Sequence, residues 1–140
     1  MGGAMRIEEA LATRLRNDGA VAGLVMDRIF PQVAPQGTSS VGTADAYVTY
    51  ELLIEKGVYA HDTSDATGLK EARLSFGCYA GRYATVKSLA AAVTACLNGF
   101  RGTLSGLEVG KVLVDECNDL FDETLRLRGV AVDVDVMYTA

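Results

Sequence analysis

The chain of 140 residues is 49% apolar and 22% charged, which excludes a disordered or fibrous protein and fits an ordinary globular one. Its length predicts a single domain over residues 1–140. A formal net charge of -5 argues against binding to nucleic-acid phosphates, because such binding requires clustered Lys and Arg. No apolar run reaches the roughly 18 residues of a membrane span, and the start lacks a signal peptide. We therefore expect a soluble protein that is made in a cytoplasm and does not contact a membrane.

The first third of the chain predicts two helices followed by a loop. Asp18-Gly19 ends the first helix, and residues 20–25 favour a short second one. Two prolines with several Gly and Ser residues then predict a flexible loop over residues 31–45. The apolar stripe of the first helix recurs every four residues, at Ile7, Leu11 and Leu15.

A long antiparallel hairpin is predicted next, because the apolar period changes to two residues at Tyr47. A flexible turn over residues 61–69 separates its two strands. The side chains predicted to face the core are Val48, Tyr50, Leu52 and Ile54 in the first strand, and Ala72, Leu74, Phe76 and Cys78 in the second.

The C-terminal half predicts a second long helix and two further strands. Asn98-Gly99 supplies the C-terminal stop of this helix. A strand over residues 107–114, an acidic solvated turn over 115–124 and a final strand over 125–138 follow. The apolar stripe of the helix consists of Val86, Leu89, Ala90, Val93 and Leu97.

The final strand contains a change of parity. Leu125 and Leu127 have odd numbers, whereas the later valines have even ones, so a single face cannot bury both sets without a slip. We therefore predict a bulge or bend near Gly129. The complete order α-β-β-α-β-β indicates an α+β fold, with a four-stranded, mainly antiparallel sheet and two main helices packed on one face.

Few residues could carry chemistry. Cys78, Cys96 and Cys117 lack a metal-ligand spacing, so they are expected to be reduced core residues. His61 lies in a turn rich in Gly and Asp and is expected to be solvated. The carboxylates within residues 115–123 lack the spacing of a calcium loop. We therefore predict no catalytic residue, no bound metal and no cofactor, so that an enzyme or ligand-binding domain is only a rival interpretation.

The outer face of the predicted sheet, opposite the helices, is polar and net negative. This face has two interpretations. It is either an ordinary solvated face, or it lines a channel or interface past which DNA moves without sticking, because like charge disfavours contact with phosphates. Its predicted residues are Glu51, Glu55, Arg73, Asp133 and Asp135.

Short segments along nearly the whole chain resemble a known family. They are Asp27-Arg28-Ile29-Phe30-Pro31, Ala34-Pro35-Gln36, Tyr47-Val48-Thr49-Tyr50, Gly68-Leu69, Glu71-Ala72-Arg73-Leu74, Cys78-Tyr79-Ala80, Leu97-Asn98-Gly99-Phe100-Arg101-Gly102 and Asp119-Leu120-Phe121. In order and spacing the sequence resembles the DUF3168 family of tail completion proteins, found in long-tailed phages and gene transfer agents. The stretch between Gln36 and Tyr47 is longer here and rich in Ser and Gly.

This resemblance implies a structural protein without catalysis, a tail terminator. Its subunits would form a ring, commonly a hexamer, on the finished tail tube and present a surface to the head connector. The expected partners are copies of the chain itself, the tail tube protein and head-tail connector proteins, with DNA passing through without specific binding. The expected location is the head-proximal end of the virion tail, after assembly in the host cytoplasm. A neck or head-tail connector subunit is the alternative within structural proteins.

Overall fold

Three helices and six strands make up the computed structural model, which describes residues 6–26, 28–32, 46–59, 66–122 and 127–139. The elements in chain order are α1 (Ile7–Arg16), α2 (Gly19–Val25), β1 (Ile29–Pro31), β2 (Tyr47–Tyr59), β3 (Ala66–Ala80), α3 (Tyr83–Leu97), β4 (Gly102–Leu104), β5 (Leu107–Asp122) and β6 (Leu127–Thr139). The three predicted helices and the four long predicted strands are therefore present.

All six strands join one sheet in the order β1-β2-β3-β6-β5-β4. β1 pairs parallel to β2, and every other pair is antiparallel. The prediction of a four-stranded sheet with two main helices was wrong, because the sheet is six-stranded and mixed, curves into a half-barrel and carries three helices. β1 and β4 have three residues each, which is too short to show an alternating pattern in the sequence.

The helices cover one face of the sheet, because each has an apolar stripe to bury. α3 packs across β3 and β6, while α1 and α2 pack against β2. Local signals set their ends: an Asp18 carboxylate oxygen accepts a hydrogen bond from the Val21 N–H and caps α2. After α3, Gly99 adopts a φ of +81°, which is the left-handed conformation predicted for the Asn98-Gly99 stop.

A single apolar core lies between the helices and the sheet. Its members confirm the predicted helix stripes and most of the predicted strand face. The residues with no exposed surface include Leu11, Leu15, Val48, Leu74, Phe76, Cys78, Val86, Leu89, Val93, Leu97, Val132 and Val134. No buried side-chain nitrogen or oxygen lacks a hydrogen bond within the described ranges, so burial carries no polar penalty there.

The β2–β3 hairpin departs from simple alternation at one position. The pairing shifts between Leu52 and Ile54, which makes Leu53 the extra residue of a bulge. Beyond it the two faces exchange, so Ile54 pairs with Arg73 and is 59% exposed. The prediction that Ile54 faces the core was therefore wrong.

The prediction of a turn over 115–124 was also wrong, because β5 continues as a strand to Asp122. The predicted bulge near Gly129 is absent, since β6 keeps continuous pairing with β3 from Arg128 to Thr139. The irregularities lie instead in β5, between Val109 and Lys111 and between Val114 and Glu116. The side chains of Leu125 and Leu127, on which the parity argument rested, lie outside the described residues.

The two predicted loops are only partly covered by the structure. Pro31 belongs to β1 and Gln32 follows it, while residues 33–45 lie outside the described ranges. Residues 66–69 belong to β3 rather than to a turn, and 60–65, including His61, are likewise not described.

Candidate assembly surface

The outer face of the sheet, opposite the helices, centres on Arg73. Four carboxylates surround its guanidinium, and β3, β5 and β6 contribute the residues. Arg73 lies 2.8 Å from Asp115, 3.2 Å from Glu116, 3.6 Å from Asp133 and 3.1 Å from Asp135, measured between nitrogen and oxygen atoms. The hydrogen bond to Asp115 is the main reason that the pKa of Arg73 is raised above its usual value, although partial desolvation opposes it.

The bulge in β5 explains how two consecutive carboxylates reach the same guanidinium. Consecutive side chains of a regular strand point to opposite faces, so Asp115 and Glu116 would separate. The irregularity between Val114 and Glu116 turns both toward Arg73. These two residues were not predicted as part of the surface because their segment was expected to be a turn. Alternation with Val112 and Val114 was an available signal for Asp115 alone, since Glu116 has the same parity as the valines.

Four of the five predicted site residues lie on the outer face. Arg73, Asp133 and Asp135 come together, and Glu51 lies in the neighbouring row, paired with Ser75. Glu55 does not join them, because the bulge at Leu53 turns it toward the helix-bearing face, where it pairs with Ala72.

Glu55 contacts β6 on the helix-bearing side of the sheet. The hydroxyl of Tyr138 donates a short hydrogen bond to its carboxylate. Burial, and then this bond to Glu55, raise the pKa of Tyr138, so the phenol stays protonated and remains a donor. Glu55 therefore ties the far end of β2 to β6.

An apolar groove adjoins the Arg73 cluster on the outer face. Its volume is about 400 Å³, and Ile54 from β2 and Leu113 from β5 both line it although β3 and β6 lie between those strands. A groove shared by β2 and β5, with two strands between them, fits the half-barrel curvature and indicates that the outer face is concave here. Lys56 and Lys111 border the groove, and Met137 contributes a further apolar wall.

The opposite end of the outer face is aromatic. The rings of Tyr47 and Tyr79 stack with centroids 5.1 Å apart. The ring of Tyr79 lies over Gly77 and Gly129. A Cβ added at either glycine would lie 2.8 Å from a carbon of this ring. Gly129 therefore provides room for an aromatic ring rather than a bend in the strand.

A second ion pair joins α3 to the helix-bearing side of β5. Lys87 lies 2.6 Å from Asp119, whose other oxygen accepts a hydrogen bond of 3.2 Å from the Tyr83 hydroxyl. The bond from Lys87 is the main reason that the pKa of Asp119 is lowered, and the same bond raises the pKa of Lys87. The acidic residues of β5 thus pair with cations on opposite faces. Asp115 and Glu116 pair with Arg73 on the outer face, and Asp119 pairs with Lys87 on the helix-bearing face.

The cysteines differ from one another in exposure. Cys78 is fully buried, and burial raises the pKa of its thiol to about 12. Burial likewise raises the pKa of Cys96, whose thiol lies 3.9 Å from the Arg14 carbonyl oxygen. Cys117 is exposed on β5, so its assignment to the core was wrong. All three are free thiols.

The described ranges contain no cluster of three or more His, Cys, Asp or Glu residues placed to hold a metal ion. In the same part of the chain no helix is both long and apolar enough to cross a membrane.

Comparison with known proteins identifies the family. The sequence matches the family described as "Tail completion protein gp17" over residues 9–139. A solved chain from the virion of a native gene transfer agent particle has 22% identity and a TM-score of 0.71, with 96% of this chain and 95% of that one covered. A second solved structure has 10% identity and a TM-score of 0.60, covering 96% and 97%. These two likenesses show a shared fold, and no curated protein matches the sequence. The chain belongs to the tail completion protein gp17 family, as its sequence resemblance predicted, and has a structural role in tail assembly.

Proposed function

We propose that this protein is a tail terminator. Its subunits form a ring on the finished tail tube, which is a hexamer if it follows the common form of the family that the sequence resembles. The ring stops growth of the tube and joins it to the head connector proteins at the head-proximal end of the tail. The observation that carries this proposal is the family match over residues 9–139, which leaves almost no part of the chain for another domain. The fold shared with a chain of a gene transfer agent virion supports it.

The outer sheet face fits the lining of a passage for DNA. Arg73 provides one positive charge against the four carboxylates around it, and Glu51 adds a further negative charge nearby. An excess of negative charge repels phosphates and weakens non-specific binding to DNA. DNA passing through the ring would therefore not be held.

We infer that this role requires no catalysis and no cofactor. The perturbed titratable side chains of the described residues have structural causes. Burial raises the pKa of Cys78, which disfavours a reactive thiolate, and ion pairs engage Arg73, Lys87 and Asp119. Each of these groups has a role in packing or in joining strands and helices.

Deletion of the gene followed by electron microscopy of particles tests the proposal. We expect overlong tails or tails without heads, and expression of the protein from a second copy of the gene should restore normal particles. Tails of normal length joined to heads in the deletion strain would contradict it.

Cryo-electron microscopy of particles carrying a labelled subunit tests its position. A terminator gives density at the end of the tail tube, in contact with the tube protein. Density against the portal alone would instead identify a neck or connector subunit.

A further inference from the structure

Both edges of the sheet are open over part of their length in the described part of the chain. β1 pairs with β2 only from Val48 to Tyr50, so no other described strand covers the edge of β2 from Glu51 onward. β4 pairs with β5 only as far as Val109. The end of α3 covers the next part of β5, because Gly99 donates to the Val112 carbonyl oxygen and the Val114 N–H donates to Asn98.

The two open segments lie at opposite ends of the sheet. The paired residues can be followed across the sheet from β2 through β3 and β6 to β5. They place Glu51 level with Glu116, and Lys56 level with Lys111. The open part of β2 therefore lies beside the covered part of β5, and the open part of β5 begins only after Val114. Two copies placed side by side without a shift would bring Lys56 against Lys111, and like charges directly opposite each other are destabilising.

We propose that the ring closes by antiparallel pairing of the open β5 edge of one copy with the open β2 edge of the next, with Lys56 opposite Glu116. This inference rests on the proposed ring-forming function. The directions of the strands suit it, because β2, β3, β6 and β5 alternate and the outer two run antiparallel. Such a head-to-tail contact uses a different edge on each copy and can close into a ring. The shift along the strands is the stagger that tilted strands require in a closed sheet.

Side chains on the two edges are complementary in this register. Ile54 lies opposite Asn118 and diagonal to Leu120, within reach of a cross-strand contact. Ile54 and Leu53 are 59% and 48% exposed on β2, and Leu120 is 41% exposed on β5. Open edges that carry exposed aliphatic side chains invite pairing with another chain. Glu116 already faces Arg73. Lys56 pairs with Glu71 of its own copy at 3.5 Å but is 67% exposed, so it can also reach Glu116 of the next copy and extend the same ionic cluster.

Cross-linking between copies tests the register. The variant Ile54→Cys/Asn118→Cys, in a Cys117→Ser background, is treated with a short bis-maleimide, both as concentrated purified protein and in assembled particles. We expect a ladder of covalent multimers larger than dimers, because each copy is linked through both edges. The matched control Ile54→Cys/Glu108→Cys places the second thiol where β4 covers β5, and should give no ladder.

Circular dichroism of both variants verifies folding before the reagent is added. A ladder in the purified protein or in particles supports the proposal. Absence of the ladder in both, or an equal ladder from the control, overturns it. Tail length in the deletion strain is a separate measurement: abnormal tails without cross-linking would reject the interface alone, and cross-linking with normal tails would reject the terminator role alone.

Discussion

At the scale of single residues, Arg73 reduces the electrostatic repulsion among the carboxylates of the outer face. Its side chain touches four carboxylates from two other strands, one of which is not a neighbour of β3 in the sheet. An exposed ion pair contributes little alone, because water screens it and ordering the side chains costs entropy. A cation placed among clustered carboxylates contributes more to stability than a single exposed pair, because it also reduces their mutual repulsion. Arg73 therefore acts mainly by relieving repulsion.

Replacement of Arg73 by Leu should lower the thermal midpoint, and the loss should be larger at low salt than at high salt. Salt screens the remaining repulsion because the Debye length falls from about 30 Å at 0.01 M to about 3 Å at 1 M. Thermal melts at several salt concentrations measure this effect. Arg101→Leu removes an exposed arginine outside this cluster and should change the midpoint little. A loss independent of salt would show that lost packing, not repulsion, is responsible.

Gly129 illustrates a packing constraint that charge does not explain. In Gly129→Ala the new Cβ would lie 2.8 Å from two Tyr79 ring carbons and 3.2 Å from the Cys78 carbonyl oxygen. We expect a loss of about 1–3 kcal/mol in the free energy of unfolding, as in other overpacked sites. Chemical denaturation measures it. Gly23→Ala, which meets open space within α2, should instead stabilise by about 0.5–1 kcal/mol. Equal effects of the two substitutions would contradict this account.

At the scale of helices and strands, periodicity predicted the long elements and failed at the short ones. α1, α3 and the four long strands repeat apolar residues often enough to be recognised. β1 and β4 do not, and their pairing is decided by the tertiary structure. The extension of β5 was missed because its acidic residues resemble a solvated turn, whereas Arg73 and Lys87 from distant segments form ion pairs with them.

The residues of the outer face could be predicted from the sequence only in part. Alternation alone placed Arg73, Asp133 and Asp135 on one face, since strand parity is a local property. Glu55 was misplaced because the apolar run Leu52-Leu53-Ile54 interrupts the alternation without showing which residue bulges. Bulges are decided by how two strands fit together, so one strand's sequence does not specify them.

The Lys87–Asp119 pair joins α3 to β5 and predicts a pH dependence. The folded-state pKa of Asp119 is lowered, so its contribution to stability is present above the unfolded-state value of about 3.9 and is lost as pH falls through the lower folded value. Lys87→Met should remove that contribution. The difference in thermal midpoint between the two proteins should therefore be present at neutral pH and disappear in acid.

Carboxyl NMR titration measures the same effect directly. Asp119 should titrate at a higher pH in Lys87→Met than in the unmodified protein. Lys111 lies on the same strand as Asp119 but borders the outer groove. Lys111→Met should therefore leave the titration of Asp119 unchanged. An unchanged titration in Lys87→Met would refute the assigned cause.

At the scale of the whole molecule, the half-barrel separates stability from assembly. The helix-bearing face holds the apolar core, so it must remain closed. The concave outer face and the open strand edges hold the exposed ionic and aliphatic side chains. In the proposed ring, contacts between copies would therefore form and change without disturbing the core.

The three thiols report on this separation because they lie at different depths. Cys117 is exposed and should react with a maleimide or disulfide reagent as soon as it is added, whereas Cys78 is fully buried with a pKa raised to about 12. Cys78 should therefore react only when the core opens, at a rate that follows global unfolding. Mass spectrometry of the folded protein should show one rapid addition, absent from Cys117→Ser, and three additions in denaturant. Rapid labelling of Cys78 without unfolding would mean that the core opens independently of the sheet edges, and the proposed division between a closed core and an open assembly surface would fail.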